Sequence, residues 1–276
     1  MFEERKINPE LLKQYREQGY WKNETLLDCW ERAAAQYPDR EYVVDDRGYR
    51  YTYRELDEAA GRVASYLMEL GIRPGEVVSY QFPIWSEFAM LTIACYKVGA
   101  VAHPIAMSYE EKELARSLNV TESRCYFGPT YFYKTDYEER ILAVRDQTPL
   151  LKDIVLIDSV KPAKSSVRLL REILASYEPL PKEQCVHTKN GQDIAVILCT
   201  SGTTGGTKGV LLSHDNVRFA EEAFNRELGL TKEDIMFMPA PLHHATGFHH
   251  AIIAPMLYGG KVVLQQKYQC RAAIDL

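Results

Sequence analysis

Apolar and polar positions along the chain change period several times, and each change predicts an element. Over residues 9 to 37, Leu11, Leu12, Leu26, Leu27, Trp30 and Ala33 to Ala35 recur among charges at helical spacing, up to a stop near Pro38-Asp39. Tyr42-Val43-Val44 and Tyr49 to Tyr53 then read as a short hairpin turning at Asp46-Arg47-Gly48. Leu56, Ala59, Ala60, Val63, Ala64, Leu67 and Leu70 fall on one helical face, which Gly71 and Pro74 close. From Val77 the pattern alternates apolar strands with amphipathic helices: strand 77–80, helix 86–98, strand 100–103, helix 109–119, strand 124–127, helix 137–146 and strand 154–157. Parallel strands need helical crossovers, so this rhythm predicts a doubly wound α/β fold with ligands at the carboxyl edge of the strands.

Residues 159 to 192, with Lys161-Pro162-Ala163-Lys164 and Glu178-Pro179-Leu180-Pro181, read as a solvated connection around one short helix. Ile194 to Cys199 form the next apolar strand. Beyond it, Ser213 can cap a helix over about 214–228, Ile235 to Met238 form a strand, a helix runs to about Tyr258, and Lys261 to Leu264 form another strand.

Strand 194–199 stops abruptly in Thr200-Ser201-Gly202-Thr203-Thr204-Gly205-Gly206-Thr207-Lys208-Gly209. This composition suits an anion. Thr200, Ser201, Thr203 and Thr204 can donate hydrogen bonds to phosphate oxygens, Gly202, Gly205 and Gly206 allow close backbone approach, and Lys208 adds positive charge. A Walker loop, G-x-x-x-x-G-K-[ST], would need glycine at Thr207 and a hydroxyl at Gly209, so that reading fails. The string instead resembles the signature loop of adenylate-forming enzymes, the superfamily of acyl-CoA synthetases, aryl-acid ligases, luciferases and peptide-synthetase adenylation domains. One departure stands out: the family usually has proline before the lysine, where this chain has Thr207.

Two further segments carry the resemblance, Tyr51-Thr52-Tyr53-Arg54-Glu55-Leu56 and Tyr96-Lys97-Val98-Gly99-Ala100-Val101-Ala102-His103-Pro104. A third, Pro241-Leu242-His243-His244, resembles the family segment in which an aromatic or histidine side chain borders the carboxylate pocket. The resemblance implies that His244 orients the substrate carboxylate and that Gly247 and Phe248 lie along the acyl tunnel. A metal site in His243, His244, His249 and His250 matches no usual ligand spacing, and histidines that simply cap a helix start are the plainer alternative. Aryl-acid ligases of the family tend to carry asparagine after this histidine, whereas Ala245 favours an aliphatic or alicyclic acid, as in fatty-acid or cyclohexanecarboxylate CoA ligases.

By that resemblance the substrates are a carboxylic acid, ATP with Mg²⁺, and CoA, and Lys208 and Thr200 are the catalytic candidates. The implied organisation is an AMP-binding domain with a first subdomain at about 71–195, a second built from 1–70 with 210–276, and the phosphate loop 199–209 between them. The resemblance spans nearly the whole chain but only about half the family's length. Because the sequence ends within an amphipathic pattern at Arg271 to Leu276, a truncated second sheet is expected, with the adenine and ribose segments, the Mg²⁺ carboxylate and the lid lysine lying elsewhere. Such a chain alone is expected to be inactive, and a nucleotide- or acyl-binding fragment without catalysis is the rival reading, with an aryl-acid ligase as another.

Composition narrows the classes further. Among 276 residues, 33 basic and 38 acidic side chains give a net charge of −5 without a basic run, which argues against nucleic acid as a partner. The six cysteines form no C-x-x-C pair and fall mostly in apolar elements, as expected of reduced core thiols in a cytoplasmic protein. The charged start, Met1 to Lys6, lacks the apolar stretch of a signal peptide, and no segment reads as membrane-spanning.

Overall fold

A computed structural model describes residues 8–158, 160–165, 167–188, 190–200 and 208–275. The chain opens with α1 (Pro9–Glu17) and α2 (Leu26–Gln36), followed by the hairpin β1 (Glu41–Asp45) and β2 (Arg50–Thr52) and by α3 (Tyr53–Glu69). The alternating region comprises β3 (Val77–Tyr80), α4 (Glu87–Lys97), β4 (Val101–Pro104), α5 (Glu111–Val120), β5 (Cys125–Pro129), a small hairpin of β6 (Tyr131–Phe132) and β7 (Thr135–Asp136), α6 (Tyr137–Val144) and β8 (Asp153–Ile157). Then come β9 (Arg168–Leu169), α7 (Leu170–Ser176), β10 (Ile194–Thr200), β11 (Lys208–Ser213) and α8 (His214–Leu228). The last described elements are β12 (Ile235–Met238), a π-helical turn (Gly247–Ile253), α9 (Ala254–Tyr258), β13 (Lys261–Leu264) and α10 (Cys270–Asp275).

These strands form two main sheets. The larger has the order β11-β10-β4-β3-β5-β8-β9 and is parallel except for β11, which runs antiparallel to β10. The smaller has the order β12-β13-β1-β2, with only the β1–β2 hairpin antiparallel. The predicted α/β architecture with layered parallel sheets is therefore present. Both flanks of the phosphate loop belong to the larger sheet, because β11 hydrogen-bonds along β10 from Ser213 to Lys208.

One continuous core joins the sheets. Val78, Tyr80, Ala102 and Phe127 of the larger sheet share it with Tyr42, Val43, Val262 and Leu264 of the smaller, and α3 and α4 pack between them. Trp30, Tyr42 and Tyr53 meet there with ring centroids 4.9 to 5.3 Å apart. The opposite face of the larger sheet is covered by Leu114 and Leu118 of α5 and Ile141 and Val144 of α6.

Helix α4 departs from the amphipathic pattern expected of it, since every residue from Glu87 to Lys97 is buried. Its two charged ends are neutralised within the fold: Lys97 Nζ lies 2.7 Å from Asp57 Oδ1, and Glu87 pairs with Arg47. With β3 and β4 of the larger sheet on one side and α2 and α3 on others, the helix has no solvent face, so it is apolar all round. Other helices follow their local signals. Ser213 Oγ accepts from the Asn216 N–H at 3.2 Å at the start of α8, Thr25 and Thr52 form capping boxes with Asp28 and Glu55, and Gly71 adopts φ +72° after α3. All six cysteines are unpaired, and four of them are buried.

Candidate nucleotide and acid site

Strand β10 runs parallel to β4, so its carboxyl end at Thr200 opens on the same edge as the ends of β3, β4 and β5. There Thr200 pairs with Lys208 across the β10–β11 ladder, and the Thr200 hydroxyl is 3.5 Å from the Lys208 carbonyl. Both residues are exposed. The hairpin thus offers a hydroxyl and an ammonium side by side at the point where the chain turns. Ser201, Gly202, Thr203, Thr204 and Gly205, the rest of the proposed phosphate cradle, lie outside the described residues.

Beneath this tip is a fully buried histidine. His103 of β4 has its Nδ1 2.7 Å from Ser79 Oγ, and its Nε2 lies 3.3 Å from Ser117 Oγ and 3.6 Å from Cys199 Sγ. Ser123 Oγ extends the network to Ser79 at 2.7 Å. Burial pushes the pKa of His103 down to about 3, so the ring is neutral and ties β3, β4, β10 and α5 together below the loop without adding charge. Sequence reading placed His103 only in a conserved-style segment, with no role. Its hydrogen-bonding partners come from three separate segments.

A cleft of about 370 Å³ opens on the same edge of the fold, between the ends of the two sheets. Phe82 and Ile84 follow β3, Met107 follows β4, Pro239 and Leu242 follow β12, Gln266 follows β13, and the β6–β7 hairpin contributes Phe132 and Tyr133. Its walls mix these apolar side chains with polar ones, among them Ser108, Thr135 and Tyr137, which suits a small organic ligand that carries a polar group. His243 also lines the cleft, its pKa driven down to about 4 by burial and by the adjacent His244, so it presents a neutral imidazole.

The expected acid-pocket residues are arranged differently from one another. His244 is exposed, with its ring centroid 5.7 Å from that of His243, and its carbonyl accepts from the Phe248 N–H at 2.8 Å. Gly247 is buried against the turn before it: a Cβ there would lie 2.3 Å from the Pro241 carbonyl oxygen. Phe248 is fully buried and packs edge-on against Phe88 of α4. The cleft wall is therefore formed by Leu242 and His243, with Gly247 and Phe248 behind it in the core. Sequence reasoning passed over His243, Tyr133 and Gln266. The available signal was their position within a few residues of strand or hairpin ends on the ligand edge.

The second histidine pair faces another way. His249 Nδ1 and His250 Nδ1 lie 3.1 and 3.0 Å from the two carboxylate oxygens of buried Glu221 on α8, and the His250 ring stacks on Phe224 at 4.1 Å. These contacts pin the π-helical turn to α8. Among the described residues, no group of three or more His, Cys, Asp or Glu is placed to hold a metal ion.

Around this hairpin tip and cleft, residues 30–275 match the sequence pattern of the AMP-binding enzyme family. The chain belongs to the AMP-binding enzyme family. Among its curated relatives, the medium-chain fatty-acid–CoA ligase of Escherichia coli (strain K12) is 40% identical over 262 residues, which cover 95% of this chain and 46% of that protein. The 2,3-dihydroxybenzoate-AMP ligase of Bacillus subtilis (strain 168) is 26% identical over 256 residues, 92% of this chain and 46% of that protein. The chain thus spans about half the length of the curated relatives it matches. The fold of this chain is shared with the apo structure of Mycobacterium smegmatis MbtA, with a TM-score of 0.86 at 24% identity over 98% of this chain and 49% of that one. It is shared also with the anthranilate CoA ligase AuaEII in complex with anthranoyl-AMP, with a TM-score of 0.79 at 23% identity over 87% of this chain and 45% of that one. No helix among the described residues is long and apolar enough to cross a membrane.

Proposed function

We propose that this chain supplies the phosphate-binding and acid-binding part of an ATP-dependent acyl-CoA synthetase. The observation that carries the reading is the placement of Thr200 and Lys208 on the same ligand edge as the apolar cleft that His243 lines. In the first step a carboxylate oxygen attacks the α-phosphorus of ATP, the bond to the β-phosphate oxygen breaks, and pyrophosphate leaves. In the second, the thiol of CoA attacks the acyl carbonyl, loses its proton, and AMP departs.

Lys208, with the hydroxyls of Thr200, Ser201, Thr203 and Thr204 and the backbone at Gly202 and Gly205, would offset charge on the phosphates. ATP enters such a step as its Mg²⁺ complex, and no described residue is assigned to the metal. Neutral His243 and exposed His244 would border the acid, with His244 orienting its carboxylate. Gly247 gives the turn room beside Pro241, and Phe248 backs the pocket. Ala245, together with the similarity to the Escherichia coli ligase, favours an aliphatic or alicyclic acid.

The test, run on this chain within a protein of its relatives' full length, is acid-dependent exchange of pyrophosphate into ATP, followed by acyl-CoA formation, with short to long fatty acids, cyclohexanecarboxylate and 2-hydroxybenzoate. Exchange with the aliphatic acids and acyl-CoA as product are expected. Exchange with 2-hydroxybenzoate alone would favour the aryl-acid reading, and nucleotide binding without exchange would favour a non-catalytic binding protein.

A further inference from the structure

A second cavity, of about 300 Å³, lies at the opposite edge of the larger sheet. Ile194, the first residue of β10, lines it, whereas the phosphate loop follows Thr200 at the other end of the same strand, roughly 20 Å away at the rise of an extended chain. Leu27, Val101 and Val186 form apolar walls, and the Tyr96 ring meets that of His214 at a 5.5 Å centroid separation. Its size is at the lower end of small-molecule sites, so an occupant would be a compact one.

Among the polar groups on its wall, which also include Thr25, Thr188 and the buried, unpartnered Tyr96 hydroxyl, His214 and Asp193 form an adjoining pair. His214 is 8% exposed, and its Nδ1 accepts from the Leu26 main-chain N–H at 3.1 Å, which places the ring proton on Nε2. Among the described residues Nε2 has no hydrogen-bond partner and is not shut off from solvent, so a donor at the accessible edge of a nine-tenths-buried ring is left for the cavity. The neighbouring polar group is the Asp193 carboxylate, which takes one hydrogen bond from Asn190 Nδ2 at 2.8 Å and keeps further acceptor capacity. The two residues are fixed against each other, because the His214 N–H donates to the Asp193 carbonyl at 3.1 Å. The Thr25 hydroxyl is already engaged with Asp28 at 2.7 Å and adds little.

A donor beside a carboxylate, over apolar walls, complements a neutral group that carries an acceptor next to an N–H. We infer that this cavity is a binding site for a small carboxamide with an apolar body, separate from the nucleotide and acid site. The amide carbonyl accepts from His214 Nε2–H, the amide N–H donates to Asp193, and the body packs on Leu27, Val101 and Val186. Carboxylates are disfavoured by the charge of Asp193, and ketones leave it without a donor. His214 opens α8 directly after β11, so an occupant would press on the far end of the hairpin whose tip carries Lys208.

The experiment uses benzamide as the probe, with benzoate and acetophenone as near-isosteric controls, in titration calorimetry and saturation-transfer NMR on the full chain. Saturable benzamide binding, at least about ten-fold tighter than either control, is expected. Val186→Phe, which fills the cavity, should abolish it, and Asp193→Ala should remove the preference for benzamide over acetophenone while leaving the fold intact. Absence of saturable benzamide binding overturns the proposal, as do equal affinities for the three compounds. Undiminished binding in a folded Val186→Phe variant, or an undiminished preference in Asp193→Ala, would place the site elsewhere and overturn it too.

Discussion

The main-chain N–H of Ile84 donates to Gln266 Oε1 at 2.6 Å, and the Gln266 N–H donates to Asp46 Oδ2 at 2.8 Å. Ile84 follows the larger sheet and Gln266 the smaller, so one side chain ties the two together at the wall of the candidate acid cleft. Replacing it with leucine strands the Ile84 N–H. We expect Gln266→Leu to lower stability by about 1–3 kcal/mol in chemical denaturation, the range for a buried donor left unsatisfied, while Gln266→Glu, which keeps an acceptor, loses less. Equal stability of the leucine variant and the parent would show that the bond is dispensable.

Lys208 stands opposite Thr200 at the hairpin tip and is exposed, and the proposed function sets it against the phosphates of ATP. Lys208→Ala in the active protein is therefore expected to impair the use of ATP more than the use of the acid, by roughly ten- to a hundred-fold in the apparent KM for ATP or in exchange rate, the scale of a hydrogen bond to a charged group. Unchanged acid-dependent exchange in Lys208→Ala would remove Lys208 from the phosphate site.

His243 and His244 make separable predictions. His244→Ala should raise the apparent KM for the acid and leave ATP affinity nearly intact, because it adjoins the cleft and not the hairpin tip. His243→Ala should do the same, since its neutral ring is part of the cleft wall. Equal loss toward acid and ATP in the His244 variant would mark it as structural.

Three histidines link stability to pH. Burial holds His103 at about 3 and His214 at about 4, and burial with a neighbouring imidazole holds His243 at about 4, all below the ordinary 6.5. As pH falls through about 6.5 the unfolded chain takes up these protons while the folded chain does not. Their contribution is therefore fully present above that pH and is lost progressively toward the folded-state values, by up to about 1.4 kcal/mol per pH unit for each histidine. The denaturation midpoint should drop between about pH 7 and pH 5, and less steeply in His103→Asn. A midpoint that is flat or rising over that interval would contradict burial of these rings in the neutral form.

Periodicity and punctuation carried most of the element map, because they are local. Val77 to Tyr80 and Lys261 to Leu264 are strands with the predicted bounds, Ser213 caps the predicted helix, and Gly71 ends α3. The composition of Thr200 to Lys208 likewise carried its family resemblance without any knowledge of the fold. Partners distant in sequence were not legible. Strand β11 was missed because Lys208-Gly209-Val210 has a weak strand pattern of its own, and it is held by the hydrogen bonds of β10. Helix α4 was expected to be half-exposed, yet only the packing of α2 and α3 over it decides that its other face is buried as well. The four histidines in one short segment looked alike as a string. Tertiary packing set His243 on the cleft wall, left His244 at the surface, and turned His249 and His250 toward Glu221, because burial and hydrogen-bond partners depend on which distant segments fold against each side chain.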